Sequence, residues 1–387
     1  MKSLEVKKYK NFEHLTLNDL ANINLIVGKN NVGKSALLEA VSIFASNGDL
    51  EQIKAVLASR GEGVGFSSSV EKSAEKEMER FLSLYHQWNV PDFLNHPIEI
   101  SANENLSGRE TKFSMRLAGY IKSLETDSQG FERPYKLLED NNEAMFENPD
   151  IHIGLLLSYD ERKTFYMFNG ERKRNPAEGS NAFEYVRTNQ IMGDKNPKLY
   201  DKIALTPNEK YIIKALQIIE PQIENINFLK DDRAYDRVYD RAYGRALSSD
   251  ERVPFVVFKN DSKRYRLSAM GDGINRILTI ILAMLNCENG VLLIDEFENG
   301  LHYSVQHQLW KVINDLSTKL NVQVFATTHS MDTLRSLSEL INDYPIEEMQ
   351  DKVACYYLQR TQTNEIKGYR YSADNFEFLI NKGEDIR

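Results

Sequence analysis

The stretch INLIVGKNNVGKSALLEAVSIF, residues 23–44, decides the fold. Ile23–Val27 reads as an apolar strand, and a glycine-rich loop and an amphipathic helix follow it. The loop Gly28-Lys29-Asn30-Asn31-Val32-Gly33-Lys34-Ser35 fits the pattern GxxxxGK[ST]. Its glycines let backbone N–H groups turn inward around phosphate oxygens, and a helix starting near Lys34 aims its positive end at the same place. In this pattern Lys34 reaches the β- and γ-phosphates, and the Ser35 hydroxyl binds Mg²⁺. A glycine-rich turn around a buried lysine is the alternative, and the strand–loop–helix context argues against it.

Two further runs read as buried parallel strands. GVLLIDEFENGLH, residues 290–302, holds the apolar run Val291 to Ile294 and ends in Asp295-Glu296. One carboxylate there suits a Mg²⁺ shell, and its neighbour can orient or deprotonate an attacking water. VQVFATTHS, residues 322–330, ends in Thr327-Thr328-His329-Ser330. A histidine at the carboxyl end of a central strand sits where open α/β sheets bind ligands. His329 either bonds a γ-phosphate or the attacking water, or merely caps.

RLSAMGDGINRIL, residues 266–278, begins as a strand, breaks at Gly271 and Gly273, and continues as a helix. It is either a strand-to-helix turn or a phosphate clamp built from backbone N–H groups and a helix dipole. Asp272 is awkward beside a phosphate and suits a helix cap instead.

The order phosphate loop, long insertion, glycine-containing helix start, acidic strand end, histidine strand end resembles the ATP-binding-cassette (ABC) class. It resembles more closely the branch with the RecF-like, chromosome-maintenance and overcoming-lysogenisation-defect (OLD) ATPases. The segments GKNNVGKS, SAMGDG, LLIDEFENGLH and FATTHS carry the likeness. The Asn-Asn of the loop, the DEFENGLH run and the ending NKGEDIR are most similar to OLD-type ATPases of bacterial defence islands. The implied fold is α/β: an ABC-type P-loop head with a mainly parallel central sheet, an antiparallel β subdomain and a helical insertion. Implied cofactors are ATP and Mg²⁺. The resemblance makes Lys34, Glu296 and His329 the catalytic set, with Glu296 the base. It gives ATP the residues Gly28, Lys29, Asn30, Asn31, Val32, Gly33, Lys34, Ser35 and Ala36. It gives Mg²⁺ Ser35, Asp295 and Gln190, although Gln190 also reads as an ordinary surface glutamine. Ser268, Gly271, Asp272 and Gly273 would meet the partner subunit's ATP, so the implied assembly is a homodimer or higher homo-oligomer through ATP-sandwiched heads. The usual LSGGQ has serine directly before paired glycines, whereas Ser268 stands three residues before Gly271.

Composition sets the frame. The chain has 387 residues and a net charge of −9, which argues against a generally basic nucleic-acid coat. Cys287 and Cys355 form no CxxC, so disulfide frameworks and cysteine zinc sites are not expected and a reducing cytoplasm fits. No signal peptide or apolar membrane span is read. The expected organisation is an ATPase core at 1–47 and 255–387, a helical insertion at 48–97, an antiparallel subdomain at 98–190, and a helical arm at 191–254.

Within 48–97, Leu57, Phe81, Leu84 and Trp88 read as a packing stripe. KFSMRL, HIGLLLSY and KTFYMFNG read as antiparallel strands. NEKYIIKALQIIEPQIENINFL reads as a helix kinked or ended by Pro221. Arg233, Arg237, Arg241 and Arg245 then recur every four residues among tyrosines and aspartates. They form either a solvated, salt-bridged helix or a contact for nucleic acid or a partner. After His329 the tail reads as helix, two strands and helix, too short for the nuclease domain that some OLD-type proteins carry. Any nuclease or toxin would therefore be a separate effector chain. The implied function is a cytoplasmic ATPase sensor-scaffold that controls such an effector in anti-phage defence. The alternative is a RecF-like ATPase that grips DNA in repair. No membrane partner is expected.

Overall fold

The computed structural model describes residues 1–60, 70–88, 90–103, 110–126, 132–138, 148, 150–168, 182–188, 195–230 and 252–381. In chain order the elements begin with β1 (Ser3–Tyr9), β2 (Phe12–Leu17), β3 (Ile23–Val27), α1 (Lys34–Ala45), α2 (Leu50–Ala58), α3 (Val70–Leu82) and α4 (Val90–Asn95). Next come β4 (Ile98–Asn103), β5 (Glu110–Thr126), β6 (Glu132–Leu137), β7 (Ile151–Tyr159), β8 (Arg162–Met167) and β9 (Phe183–Val186). Then follow α5 (Asn196–Asp201), α6 (Glu209–Leu216), β10 (Ile223–Lys230), β11 (Arg252–Phe258), β12 (Arg264–Arg266) and α7 (Asp272–Leu285). The chain ends with β13 (Val291–Ile294), α8 (Tyr303–Leu320), β14 (Gln323–Thr327), α9 (Met331–Asn342), α10 (Ile346–Met349), β15 (Val353–Arg360), β16 (Ile366–Ser372) and α11 (Ala373–Asn381).

The fold is mixed α/β and divides into two compact units. The first comprises 1–20, 28–181 and 356–370. Its sheet has the order β2-β1-β4-β5-β7-β8, with β6 on β5, and every pairing is antiparallel. The β7–β8 hairpin closes at Tyr159↔Arg162, as the polar pair Asp160-Glu161 leads one to expect. Val6, Ile100, Phe113, Met115 and Leu117 are wholly buried. Helix α1 belongs to this unit and buries an acid, Glu39. Lys10 and Arg60 offset the desolvation of that carboxylate: Lys10 Nζ lies 2.6 Å from Oε2, and Arg60 Nε lies 2.8 Å from Oε1.

The second unit comprises 21–27, 182–355 and 371–387. Here β3, β14, β13 and β9 pair in parallel, within a sheet of order β16-β15-β3-β14-β13-β9. All of β3 and all of β13 are buried, the signature of strands covered on both faces. Burying each Val, Leu or Ile contributes about 1.5–3 kcal/mol. The polar exception, Asn24, is satisfied: it accepts from Ala21 N–H at 2.9 Å and donates to the Ala21 and Val324 carbonyls. Helix α7 is apolar on most sides, with Ile274, Ile277, Leu278 and Ile281 wholly buried. A separate three-stranded sheet, β10-β11-β12, leads into it.

Two expectations need correction. The segment 208–229, read as a helix kinked or ended by Pro221, is helical only to Leu216, and Ile223–Lys230 is a strand. Pro221 stops the helix, and Ile226 and Phe228 then alternate inward against β11. Trp88 leaves the packing stripe: Leu57, Phe81 and Leu84 are buried, but Trp88 is 68% exposed. Gln87 and Trp88 take left-handed backbone angles, φ 64° and 56°, which turn the indole outward. Among the described residues no helix is long and apolar enough to cross a membrane.

Candidate functional site

Strand register sets the site's layout. Ile26 pairs with Thr327, and Ala326 pairs with Ile294, so the three parallel strands end together at one sheet edge. Asp295-Glu296 follows β13 at that edge, Thr328-His329 follows β14, and the loop from Gly28 leaves β3 there. In open α/β sheets this edge is where ligands bind.

The loop belongs to the first unit. Gly28 takes φ 145° and Gly33, the N-cap of α1, takes φ 99°. A Cβ on Gly28 would collide with the Leu358 carbonyl oxygen, so the close approach itself requires glycine. Lys34 is buried, and its Nζ donates to the Gly28 carbonyl at 2.5 Å and the Lys29 carbonyl at 3.1 Å. Lys29, Asn30 and Asn31 are exposed, Val32 and Ala36 are buried, and Ser35 is half-buried.

The acidic strand end belongs to the second unit. Thr327 Oγ1 donates to Asp295 Oδ1 at 2.7 Å and accepts from the Glu296 N–H at 2.8 Å. Glu296 sits at φ 49°, a left-handed conformation that costs a non-glycine residue about 1–2 kcal/mol. Three contacts hold it there: the Thr327 hydroxyl, the Phe297 N–H donating to the Thr327 carbonyl, and the Phe297 ring stacked on Trp310 at 3.9 Å. Glu298 then binds the histidine segment directly. Its Oε2 accepts from Thr328 Oγ1 at 2.7 Å and its Oε1 from the His329 N–H at 2.8 Å. The His329 side chain is exposed.

Arg276 was not legible as a site residue. It lies in α7, 1% exposed, and donates to the Arg187, Asp295 and Glu296 carbonyls at 3.3, 2.7 and 3.0 Å. Burial pushes its guanidinium below the ordinary value, and the carboxylates of Asp295, Glu296 and Glu298 pull it back up. Five donors on a rigid fork suit this role as a lysine ammonium would not. The available signal was one charged residue inside the largely apolar run INRILTIIL.

The 266–278 segment resolves into β12, a 3₁₀ turn at Leu267–Met270, and α7. Ser268, Gly271 and Asp272 are exposed, and Gly273 is half-buried. A Cβ on Gly273 would lie 2.9 Å from the Gly300 carbonyl oxygen, so the helix start abuts the loop after Glu298. The expected cap is corrected: Gly271 occupies the N-cap at φ 94°, no side chain caps the helix, and Asp272 is its first residue. Gln190, Arg233, Arg237, Arg241 and Arg245 lie outside the described residues.

The donors present fit Mg²⁺. Asp295 in the second unit and Ser35 in the first each offer an oxygen ligand, and no group of three or more His, Cys, Asp or Glu suited to a metal occurs among the described residues. Mg²⁺ takes that arrangement, one or two protein oxygens plus substrate phosphates and water. Burial pushes the Cys287 and Cys355 thiols upward, away from metal-binding thiolate.

A family model described as AAA ATPase domain matches residues 1–333, and the chain belongs to that family. It is 23% identical over 410 residues to a Helicobacter pylori protein named ATP/GTP phosphatase, covering 100% of this chain and 99% of that one. A 46-residue stretch is 39% identical to an uncharacterised Methanocaldococcus jannaschii protein, covering 12% of this chain and 21% of that one. Among solved structures, an Smc head bound to the C-winged helix domain of ScpA shares 11% identity at a TM-score of 0.49, covering 96% of this chain and 98% of that one. The SMC head domain from Thermotoga maritima shares 10% identity at a TM-score of 0.43, covering 96% and 98%.

Proposed function

We propose that the chain hydrolyses ATP, with phosphates bound at Gly28–Ser35, Glu296 as general base and His329 on the γ-phosphate or the attacking water. The observation that carries this reading is the shared edge of β3, β14 and β13, where the phosphate loop, the histidine segment and the acid pair all begin. On binding, Lys34 exchanges the Gly28 and Lys29 carbonyls for phosphate oxygens. Ser35 and Asp295 would hold Mg²⁺, which would supply charge neutralisation on the phosphates when bound. Glu296 takes the water proton, and Thr327 holds the acid pair in place while it does so. The relative named ATP/GTP phosphatase supports triphosphate hydrolysis as the activity. Glu296→Gln removes the base and keeps the shape. We expect phosphate release from the pure protein to fall by at least tenfold with ATP binding retained, as loss of general base catalysis requires. Unchanged turnover would exclude Glu296 as the base.

The same reading extends to assembly. Ser268, Gly271 and Asp272 are exposed and Gly273 adjoins Gly300, so the two segments would present one surface to a second copy's nucleotide. ATP would then close a homodimer, and the closed or open state would control a separate effector protein, a nuclease or toxin, in anti-phage defence. The run DEFENGLH and the Asn30-Asn31 pair of the loop support that role. Gly271→Asp places a charge and a strained φ at this surface; the variant should bind ATP yet neither dimerise on it nor hydrolyse it. Co-purification that recovers DNA instead of a protein partner would refute the effector role.

A further inference from the structure

The phosphate loop is gripped from outside by two side chains that the hydrolytic reading leaves unused. Asn11, in the turn between β1 and β2, donates its Nδ2 to the Asn31 carbonyl at 2.9 Å. Arg360, the last residue of β15, donates Nη2 to the same carbonyl at 3.4 Å. All three residues lie in the first unit. Arg360 is itself fixed, because its Nη1 donates to the Asn364 carbonyl and to Asn364 Oδ1, at 3.4 and 2.8 Å. Asn31 occupies the left-handed region at φ 64°.

The consequence follows from peptide planarity. In a trans peptide the C=O of one residue and the N–H of the next point in opposite directions, and no peptide here is cis. Holding the Asn31 carbonyl toward Asn11 and Arg360 therefore turns the Val32 N–H the other way. Successive N–H groups turned to one side are what an anion-binding nest is made of. The same strand also touches the start of the loop, since the Leu358 carbonyl stands where a Gly28 Cβ would be. Leu358 and Arg360 both lie past residue 333, where the family match ends.

We propose that Asn11 and Arg360 are positioning residues of the triphosphate site: they fix Asn31 so that the Val32 N–H meets phosphate. The chain beyond residue 333 is then part of the nucleotide site. The proposal rests on Gly28–Ser35 being the phosphate loop. Neither side chain touches the reacting atoms, so the effect falls on nucleotide affinity and spares the chemical step. Loss of a contact made equally in ground and transition states raises KM and leaves kcat in place.

The test uses the full chain, a fluorescent ATP analogue for binding, and phosphate release for turnover. Asn11→Ala and Arg360→Gln should each raise the analogue's Kd about fivefold, the effect of one hydrogen bond. The double variant should raise Kd by more than the product of the single effects, because the two donors share one acceptor. Arg360→Lys keeps a donor and should bind within about twofold of the parent. Arg370→Ala, a charge change elsewhere in the same unit, should bind as the parent does. In every variant kcat at saturating ATP and the melting temperature without nucleotide should hold. Parent-like binding by the double variant would overturn the proposal, and so would a Kd rise matched by loss of melting temperature. Lys34→Ala separates the two levels: if it still binds nucleotide, the phosphate-loop reading itself fails.

Discussion

Thr327 Oγ1 donates to Asp295 Oδ1 across 2.7 Å while its oxygen receives the Glu296 N–H at 2.8 Å. One hydroxyl thus sets the rotamer of the proposed magnesium ligand and the backbone of the proposed base. Thr327→Val keeps the shape and removes both bonds. We expect kcat to fall at least tenfold with the nucleotide Kd unchanged. Stability should drop by about 1–3 kcal/mol, because the Glu296 N–H loses its partner. Thr327→Ser should recover most of both. Phosphate release, analogue binding and thermal melting on the three proteins decide the matter.

Arg276 makes a second prediction. Its guanidinium ties α7 to the carbonyls of Arg187, Asp295 and Glu296. Arg276→Met fills a similar volume but removes all three bonds, leaving Thr188 Oγ1 at 3.4 Å on the Asp295 carbonyl and the Asn299 N–H at 3.0 Å on the Glu296 carbonyl. Stability should fall by about 3 kcal/mol, the scale of breaking a buried charged contact. Hydrolysis should fall further than stability alone explains, because Glu296 loses a tether on its strained backbone. Denaturant titration beside turnover at a temperature where both proteins are folded measures the two effects separately.

Glu184, on β9 opposite Leu292, supplies a pH prediction. Burial raises its carboxyl above the ordinary value, and Lys195 and Lys202 pull it down only in part. The folded state therefore keeps this proton to higher pH than the unfolded chain does. Its contribution is fully present below the unfolded value, about pH 4, and is lost as pH rises through the folded one. Glu184→Gln removes that loss. The variant should melt higher than the parent at neutral pH, with the gap closing toward pH 4. A constant gap across that range would show that the acid's burial carries no linkage.

Much of this site was legible because its signals are local. Glycine spacing before Lys34 and apolar runs ending in acids or His329 need no knowledge of partners. What could not be read depended on distant contacts. Arg276 looks like a charged interruption of a largely apolar helix, and only the carbonyls of Asp295 and Glu296 make it a clamp. Asn11 and Arg360 carry no motif of their own and meet at Asn31 only through the fold. The strand at Ile223–Lys230 was hidden because a bulge between Ile223 and Asn225 breaks the alternation at its start. Trp88 lies at helical spacing from Leu84, but the helix has already ended at Leu82. Asp272 is a good capping residue by type, yet Gly271, able to hold φ 94°, took the cap position one residue earlier.

Strand β14 lies between β3 and β13, although it is the last of the three in the chain. The Asn24 side chain binds the Val324 carbonyl, 300 positions further along. During synthesis β3 leaves the ribosome with its flanking positions in the parallel sheet still unmade. The apolar run of β13 waits in the same way for its neighbour. The parallel sheet therefore cannot close until the chain has been made past residue 327, and any product truncated before residue 323 lacks the strand that joins β3 to β13. Long-range pairing of this kind is slow to form and leaves apolar strands uncovered while it waits.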